Sequence, residues 1–157
     1  MPSTLTPQHL KAQLDVARNL VHRLVLVAGP DPVAKSRLLR EAAEFGKFPV
    51  VNVGEHLAKS LMQLPVRQRP GRAAPELGSL LSDIRAETAV LDHIEILFAP
   101  ELRVDVVRLL QSISRNTTLL VAWPGDVSDL DVSYAPSYHP EHQRSSLDGA
   151  VVASMHS

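Results

Sequence analysis

The chain of 157 residues contains no cysteine, which excludes disulfides and thiolate metal sites. It has almost no charge excess, a formal −1, so its balance gives no support to broad attraction toward nucleic acid or a membrane surface. No apolar run is long enough to span a bilayer, and the polar opening MPSTLTPQHLK lacks the form of a signal peptide. Seven histidines are present, but none stands at a ligand spacing backed by other donors, and His139 and His142 lie in a stretch too polar to fix a metal site. These absences predict a soluble, cytoplasmic protein with no membrane contact. With 45% apolar residues, the chain suffices for one ordinary core, and nothing marks a second.

What is present centres on LVLVAGPDPVAKS, residues 24 to 36. An apolar run, a glycine and then Ala-Lys-Ser make a phosphate-binding loop with one letter changed: Gly29, Lys35 and Ser36 match the P-loop pattern, and Ala34 replaces its second glycine. Such a loop wraps phosphate with backbone N–H groups and delivers it to a helix N-terminus. The expected nucleotide-binding segment is therefore Gly29, Pro30, Asp31, Pro32, Val33, Ala34, Lys35, Ser36 and Arg37, with ATP and Mg²⁺ as ligands. Lys35 would neutralise the β- and γ-phosphates, and Ser36 would reach the metal through its hydroxyl. The context is the required strand, loop and helix: Leu24–Ala28 is a run of the kind buried parallel strands show, and Leu38, Leu39, Ala42, Ala43 and Phe45 follow at near-helical spacing, with Gly46 as the stop.

Thr88-Ala89-Val90-Leu91-Asp92 is an apolar strand ending in an acid, the Walker B pattern. Asp92 is the expected partner of Ser36 on the metal. His93 follows where many ATPases place the glutamate that activates water, and Glu95 is the nearest acid beyond it. Glu95 is a candidate catalytic residue, with an ordinary surface acid as the open alternative.

Taken in order, Thr6-Pro7 predicts the start of an amphipathic helix with Leu10, Leu14, Ala17 and Val21 on one face. Pro49–Val53 reads as a second strand, residues 55 to 63 as a short helix and residues 74 to 84 as another. Between those helices Arg67, Arg69 and Arg72 crowd a Pro-Gly loop, either as a solvated turn or as an anion contact or subunit interface. A helix is expected from Pro100 to about Ser114, a strand from Thr117 to Trp123, and a short fifth strand at Val132 to Tyr134. The domain is expected to span residues 1 to 134. The polar segment from 135 to 157 reads as a flexible or partner-bound tail.

This order of elements resembles AAA-type P-loop ATPases. The resemblance implies a three-layer α/β/α P-loop NTPase fold, with a mostly parallel sheet of about five strands and an AAA-like core without an evident lid domain. It also implies a catalytic arginine finger offered to a neighbouring subunit just before the fourth strand, where Arg115 stands. Ala122-Trp123-Pro124 carries no polar sensor residue at that strand's end. More narrowly, the chain resembles the BrxF family, small P-loop proteins of type 3 bacteriophage-exclusion (BREX) systems. The resemblance covers roughly residues 5 to 142 and rests on the P-loop strand, VNVGEHLAKSLMQLPVRQRPGRAAPEL, VLDHIEILFAPEL, LLQSISRNTTLLVAWPG and SYAPSYHPEH. It implies an ATP-binding, oligomeric subunit of a phage-defence assembly that includes a methyltransferase, meeting nucleic acid only through that assembly.

Two letters depart from a working loop. Pro32 has no N–H to offer a phosphate, and Ala34 is strained if the turn demands positive φ. The expectation is weak, micromolar to millimolar ATP binding with slow turnover. Three functions stay open: a Mg²⁺-dependent ATPase or switch, a P-loop scaffold that has lost hydrolysis, and a small-molecule kinase using the arginine loop.

Overall fold

The computed structural model describes residues 5–128, 131–146 and 150–155. The Thr6 side chain accepts the His9 amide at 3.2 Å and opens helix α1 (Pro7–Ala17), with Pro7 where no helical N–H is required. Leu10, Leu14 and Ala17 are buried, whereas Val21 lies past the helix end and is 73% exposed. The apolar run forms β1 (Leu24–Ala28), buried at every residue. Helix α2 (Pro32–Gly46) follows directly after Gly29, Pro30 and Asp31. Its stop is Lys47, in the left-handed conformation at φ 59°, and not Gly46. A Cβ at position 46 would come within 2.3 Å of the end of the Phe48 ring, which would have to shift.

Strand β2 (Val50–Asn52) passes into α3 (Val53–Met62), which Asn52 caps by accepting the Glu55 amide at 3.0 Å. The arginine loop is largely absorbed by local structure. Arg69 donates from Nε to the carbonyls of Leu61 and Leu64 at 3.0 and 3.2 Å, satisfying the exit of α3, and Arg72 pairs with Glu76 at 3.2 Å. Helix α4 (Ala73–Ile84) then leads to β3 (Thr88–Asp92), again buried throughout. The single helix expected from Pro100 is broken. Two 3₁₀ turns (Ile94–Phe98 and Pro100–Leu102) precede Arg103, whose left-handed φ of 54° ends the second, and Asp105 then caps the shorter α5 (Val106–Ile113). After it come β4 (Thr118–Ala122), β5 (Asp126–Val127), β6 (Asp131–Tyr134), β7 (Gln143–Ser146) and β8 (Val151–Ser154).

Five strands form one sheet in the order β2-β3-β4-β1-β8, and all its neighbours are parallel. Strands β1 and β3 thus flank β4. Side chains alternate across the sheet, as the strand period demands. Leu24, Leu26, Ala89, Leu91, Leu119 and Val121 join a core built with α3, α4 and α5. Val25, Val27, Val90 and Leu120 join the other, built with α1 and α2. Helices therefore cover both faces of the sheet, giving an α/β fold in three layers.

The fifth parallel strand is not the expected one. Residues 131 to 134 belong to a separate antiparallel sheet, β5-β6-β7. The place beside β1 is taken by β8, which lies inside the segment expected as a tail beyond residue 134. Val151, Val152 and Ala153 pair with Val25, Leu26 and Val27, and the Met155 amide donates to Ala28 O at 2.7 Å. The physical reason is the far edge of β1, whose unpaired backbone groups and apolar neighbours are covered by the short apolar stretch of β8. Within the small sheet the chain runs close: at Gly125, just before β5, a Cβ would lie 1.8 Å from Ser133 O of β6, so no side chain fits.

Candidate functional site

The ends of β1, β2, β3 and β4 meet at one edge of the sheet, where the register sets Asn52 beside Asp92 and Val27 beside Ala122. The crevice outside the carboxyl ends of parallel strands is where open α/β sheets bind ligands. Here it is a cavity of about 760 Å³. Gly29, Pro30, Pro32, Val33, Lys35 and Ser36 line it from the start of α2, Asn52 from β2, and Asp92, His93 and Glu95 from the end of β3. Asp31, Ala34 and Arg37 do not line it.

The expected wrapped loop is instead a capped helix start. Asp31 is the N-cap of α2: its Oδ1 accepts the amides of Val33 and Ala34 at 3.0 and 3.2 Å. Pro32 occupies the first helical turn, where a missing N–H has no cost. Ala34 is inside the helix and not among the positive-φ residues, so the strain expected there does not arise. Asp-Pro followed by good helix formers is a helix-start signal in its own right. That signal and the P-loop spacing share the same letters.

Lys35 points inward and is only 5% exposed. Its ammonium donates to Trp123 O at 2.6 Å and to Gly29 O at 3.2 Å, tying the start of α2 to the end of β4. Burial pushes its pKa below the usual lysine value, against the opposing pull of the Glu95 and Asp92 charges.

At the other lip, Asp92 is 8% exposed, and its Oδ1 accepts the His93 amide at 2.9 Å. His93 is left-handed, at φ 56° and ψ 53°, which turns the chain sharply and puts its Nε2 at 3.6 Å from Asp92 Oδ2. Glu95, exposed, sits in the first turn that follows. Lys35, Ser36, Asp92 and Glu95, distant in sequence, are brought to one cavity.

Tyr134 also lines this cavity. It stacks on Phe98 at 3.9 Å, Phe98 meets Trp123 edge-on at 5.6 Å, and the Trp123 indole donates to Ser133 O at 3.1 Å. Burial raises the Tyr134 pKa, and the carboxylates of Glu141 and Glu95 raise it further. Sequence reasoning missed this residue, because only the antiparallel pairing of β6 brings it back to the sheet's edge.

Arg115 lies elsewhere. It precedes Thr118, the start of β4, whereas the cavity adjoins Ala122 at the strand's end. The Arg23 guanidinium donates to its carbonyl oxygen. Within one chain Arg115 is therefore at the opposite edge of the sheet from Asp92.

Ser36 and Asp92 offer a hydroxyl and a carboxylate, hard oxygen donors that suit Mg²⁺, an ion that keeps much of its water. Among the described residues no group of three or more His, Cys, Asp or Glu is arranged to hold a metal. The donor chemistry of Ser36 and Asp92, both lining the cavity, fits a hydrated ion. The phosphate cradle does not fit as it stands, since the amides that would form it are bonded to Asp31. Among the described residues no helix is long and apolar enough to cross a membrane. No protein-family model matches the chain, and no curated protein matches it.

Proposed function

We propose that this chain binds ATP with Mg²⁺ in the cavity at the end of β1 and β3, and that it acts as a weak ATPase or a nucleotide switch. The observation that carries the reading is the convergence of Lys35, Ser36, Asp92 and Glu95 on one cavity at the carboxyl edge of a parallel sheet. The position of β4 between β1 and β3 supports the finer reading of the fold as an AAA-like P-loop NTPase. In this reading Ser36 and Asp92 would hold the ion, whose chemistry is to neutralise developing phosphate charge. Lys35 supplies the second cation, and Glu95 orients water. The resemblance to BrxF proteins extends the proposal to a cytoplasmic, oligomeric subunit of a phage-defence assembly containing a methyltransferase.

A second reading, a scaffold working through protein contacts without hydrolysis, is favoured by one specific observation. Both the amides and the lysine that phosphate would require are already bonded within the chain. A small-molecule kinase gains no comparable support, because Arg69 and Arg72 of the loop have local partners.

The test is thermal unfolding with ATP and Mg²⁺, since a ligand bound only to the native state raises Tm. Wild type should show the rise and Lys35→Ala should lose it; equal shifts in both would remove Lys35 from the site. Hydrolysis measured beside molar mass then separates switch from scaffold. In an oligomer, Arg115→Ala should leave ATP affinity unchanged and depress turnover, because a finger supplied by a neighbour acts on transition-state charge. Hydrolysis by a strict monomer would rule out that role.

A further inference from the structure

We propose that Arg40 receives the terminal phosphate of the ligand in this cavity, and so lets the chain tell a nucleoside triphosphate from a diphosphate. The assignment rests on the nucleotide reading above and deepens it.

Lys35 and Arg40 both line the cavity, and they differ in what already holds them. The Lys35 ammonium is buried and donates to the carbonyls of Trp123 and Gly29 at 2.6 and 3.2 Å. Arg40 is exposed, and among the described residues none hydrogen-bonds to it or forms an ion pair with it. That includes Glu44, four residues further along α2, since an acid placed C-terminal to its cation is the weaker order of such a pair. Arg40 is therefore ready as the chain stands, whereas Lys35 must first give up two acceptors.

Arg40 lies four residues after Ser36, on the same face of α2 and about 6 Å along its axis. Helical side chains lean back toward the N-terminus, so a long one at this position reaches toward Ser36 and the crevice. Asn52, at the end of β2, lines the cavity as well. Its Oδ1 accepts the Glu55 amide at 3.0 Å, which leaves the Nδ2 hydrogens as donors. In the reading above Ser36 and Asp92 hold the ion, and in phosphoryl transfer such an ion bridges the last two phosphoryl groups. Sharing a helix face with Ser36 puts Arg40 with those groups and not with the nucleoside. The charges agree. Those of Lys35 and Arg40 are cancelled by Asp92 and Glu95, all four lining the cavity, so the added negative charge of a terminal phosphate falls to the cation with unspent donors. A guanidinium meets phosphate through two parallel N–H bonds, a geometry that the ammonium of Lys35 does not offer.

The experiment is calorimetric titration of the full chain with ATP and with ADP, both with Mg²⁺, in wild type, Arg40→Ala and Lys59→Ala. Lys59 is the control for loss of charge: its side chain is 74% exposed on α3 and does not line the cavity. Because Arg40 is exposed and unbonded, its removal should leave Tm without ligand unchanged. Arg40→Ala should weaken ATP binding by about tenfold to a hundredfold, the worth of hydrogen bonds to a charged group, and ADP binding by no more than about threefold. Lys59→Ala should match wild type. Equal ATP affinity in Arg40→Ala and wild type, an equal loss for both nucleotides, or the same loss in Lys59→Ala would overturn the assignment and leave the nucleotide reading in place. If wild type folds and binds neither nucleotide, the nucleotide reading fails and the assignment falls with it.

Discussion

The two lips of the cavity are built in opposite ways. At the start of α2, two of the charged groups are taken up within the chain: Asp31 accepts two amides and Lys35 donates to two carbonyls. At the end of β3, Asp92 keeps one oxygen clear of the His93 amide, and Glu95 stands exposed. A motif's spacing and a motif's readiness are thus separate properties. One lip has the letters of an anion site and spends them on its own stability. The other has few diagnostic letters; there Asp92 is buried beside His93 and Glu95 is exposed.

The largest expected effect is at Trp123, whose side chain packs beside the cavity while its backbone carbonyl holds Lys35. Trp123 is 1% exposed, contacts Phe98, and receives Lys35 on its carbonyl. Trp123→Ala should lose about 3–5 kcal/mol in urea denaturation. A loss below about 1 kcal/mol would mean that the indole packing against Phe98 contributes little. The next test sets the lips against each other without ligand. Asp31→Ala should cost about 1 kcal/mol as a lost cap, whereas Glu95→Ala should stay within about 0.5 kcal/mol of wild type. A reversed order would assign the structural role to the wrong lip. With ligand the roles exchange: in Asp92→Asn, the extra rise in Tm that Mg²⁺ gives over ATP alone should vanish.

The smallest expected effect is a pH dependence. The depressed Lys35 pKa means that the native state gives up a proton the unfolded chain retains, so its contribution to stability is complete above about 10.5 and is lost as pH falls through the folded value. The raised Tyr134 pKa acts in the other direction. Its contribution is complete below about 10 and is lost as pH rises through the folded value. Urea midpoints taken from neutral pH to pH 11 should therefore fall less steeply at the alkaline end in Tyr134→Phe than in wild type. Parallel curves would show that burial does not raise the Tyr134 pKa.

Much of the sheet was legible because central parallel strands are buried on both faces. Leu24–Ala28, Thr88–Asp92 and Thr118–Ala122 are short apolar runs in sequence and wholly buried strands in structure. Thr6-Pro7 and the buried Leu10, Leu14 and Ala17 were legible because a cap and its helix are local. What escaped was decided at a distance. The partner of β8 is β1, so four residues that look like a brief apolar break become a sheet strand only once the rest has folded. Tyr134 reaches the cavity through pairing with β5 and β7. At Asp31-Pro32 the difficulty was different: cap and P-loop are written alike, and only the direction of one carboxylate separates them. The break before α5 was missed because a left-handed Arg103 has no signature in composition.

The pairing of β8 with β1 also imposes an order in time. Val25 is made early and meets its partner Val151 only after nearly all the intervening chain has been synthesised. Until then one side of the strand that leads into the cavity stands open during translation, apolar and unpaired, next to whatever other nascent chains are near. Anything that delays or blocks residues 151 to 154, such as a fusion attached there or a stalled ribosome, would leave that edge open for longer. The yield of folded protein should then be more sensitive to changes at Val152 than the stability of the finished fold is, because the same contact both completes the sheet and closes its exposed side.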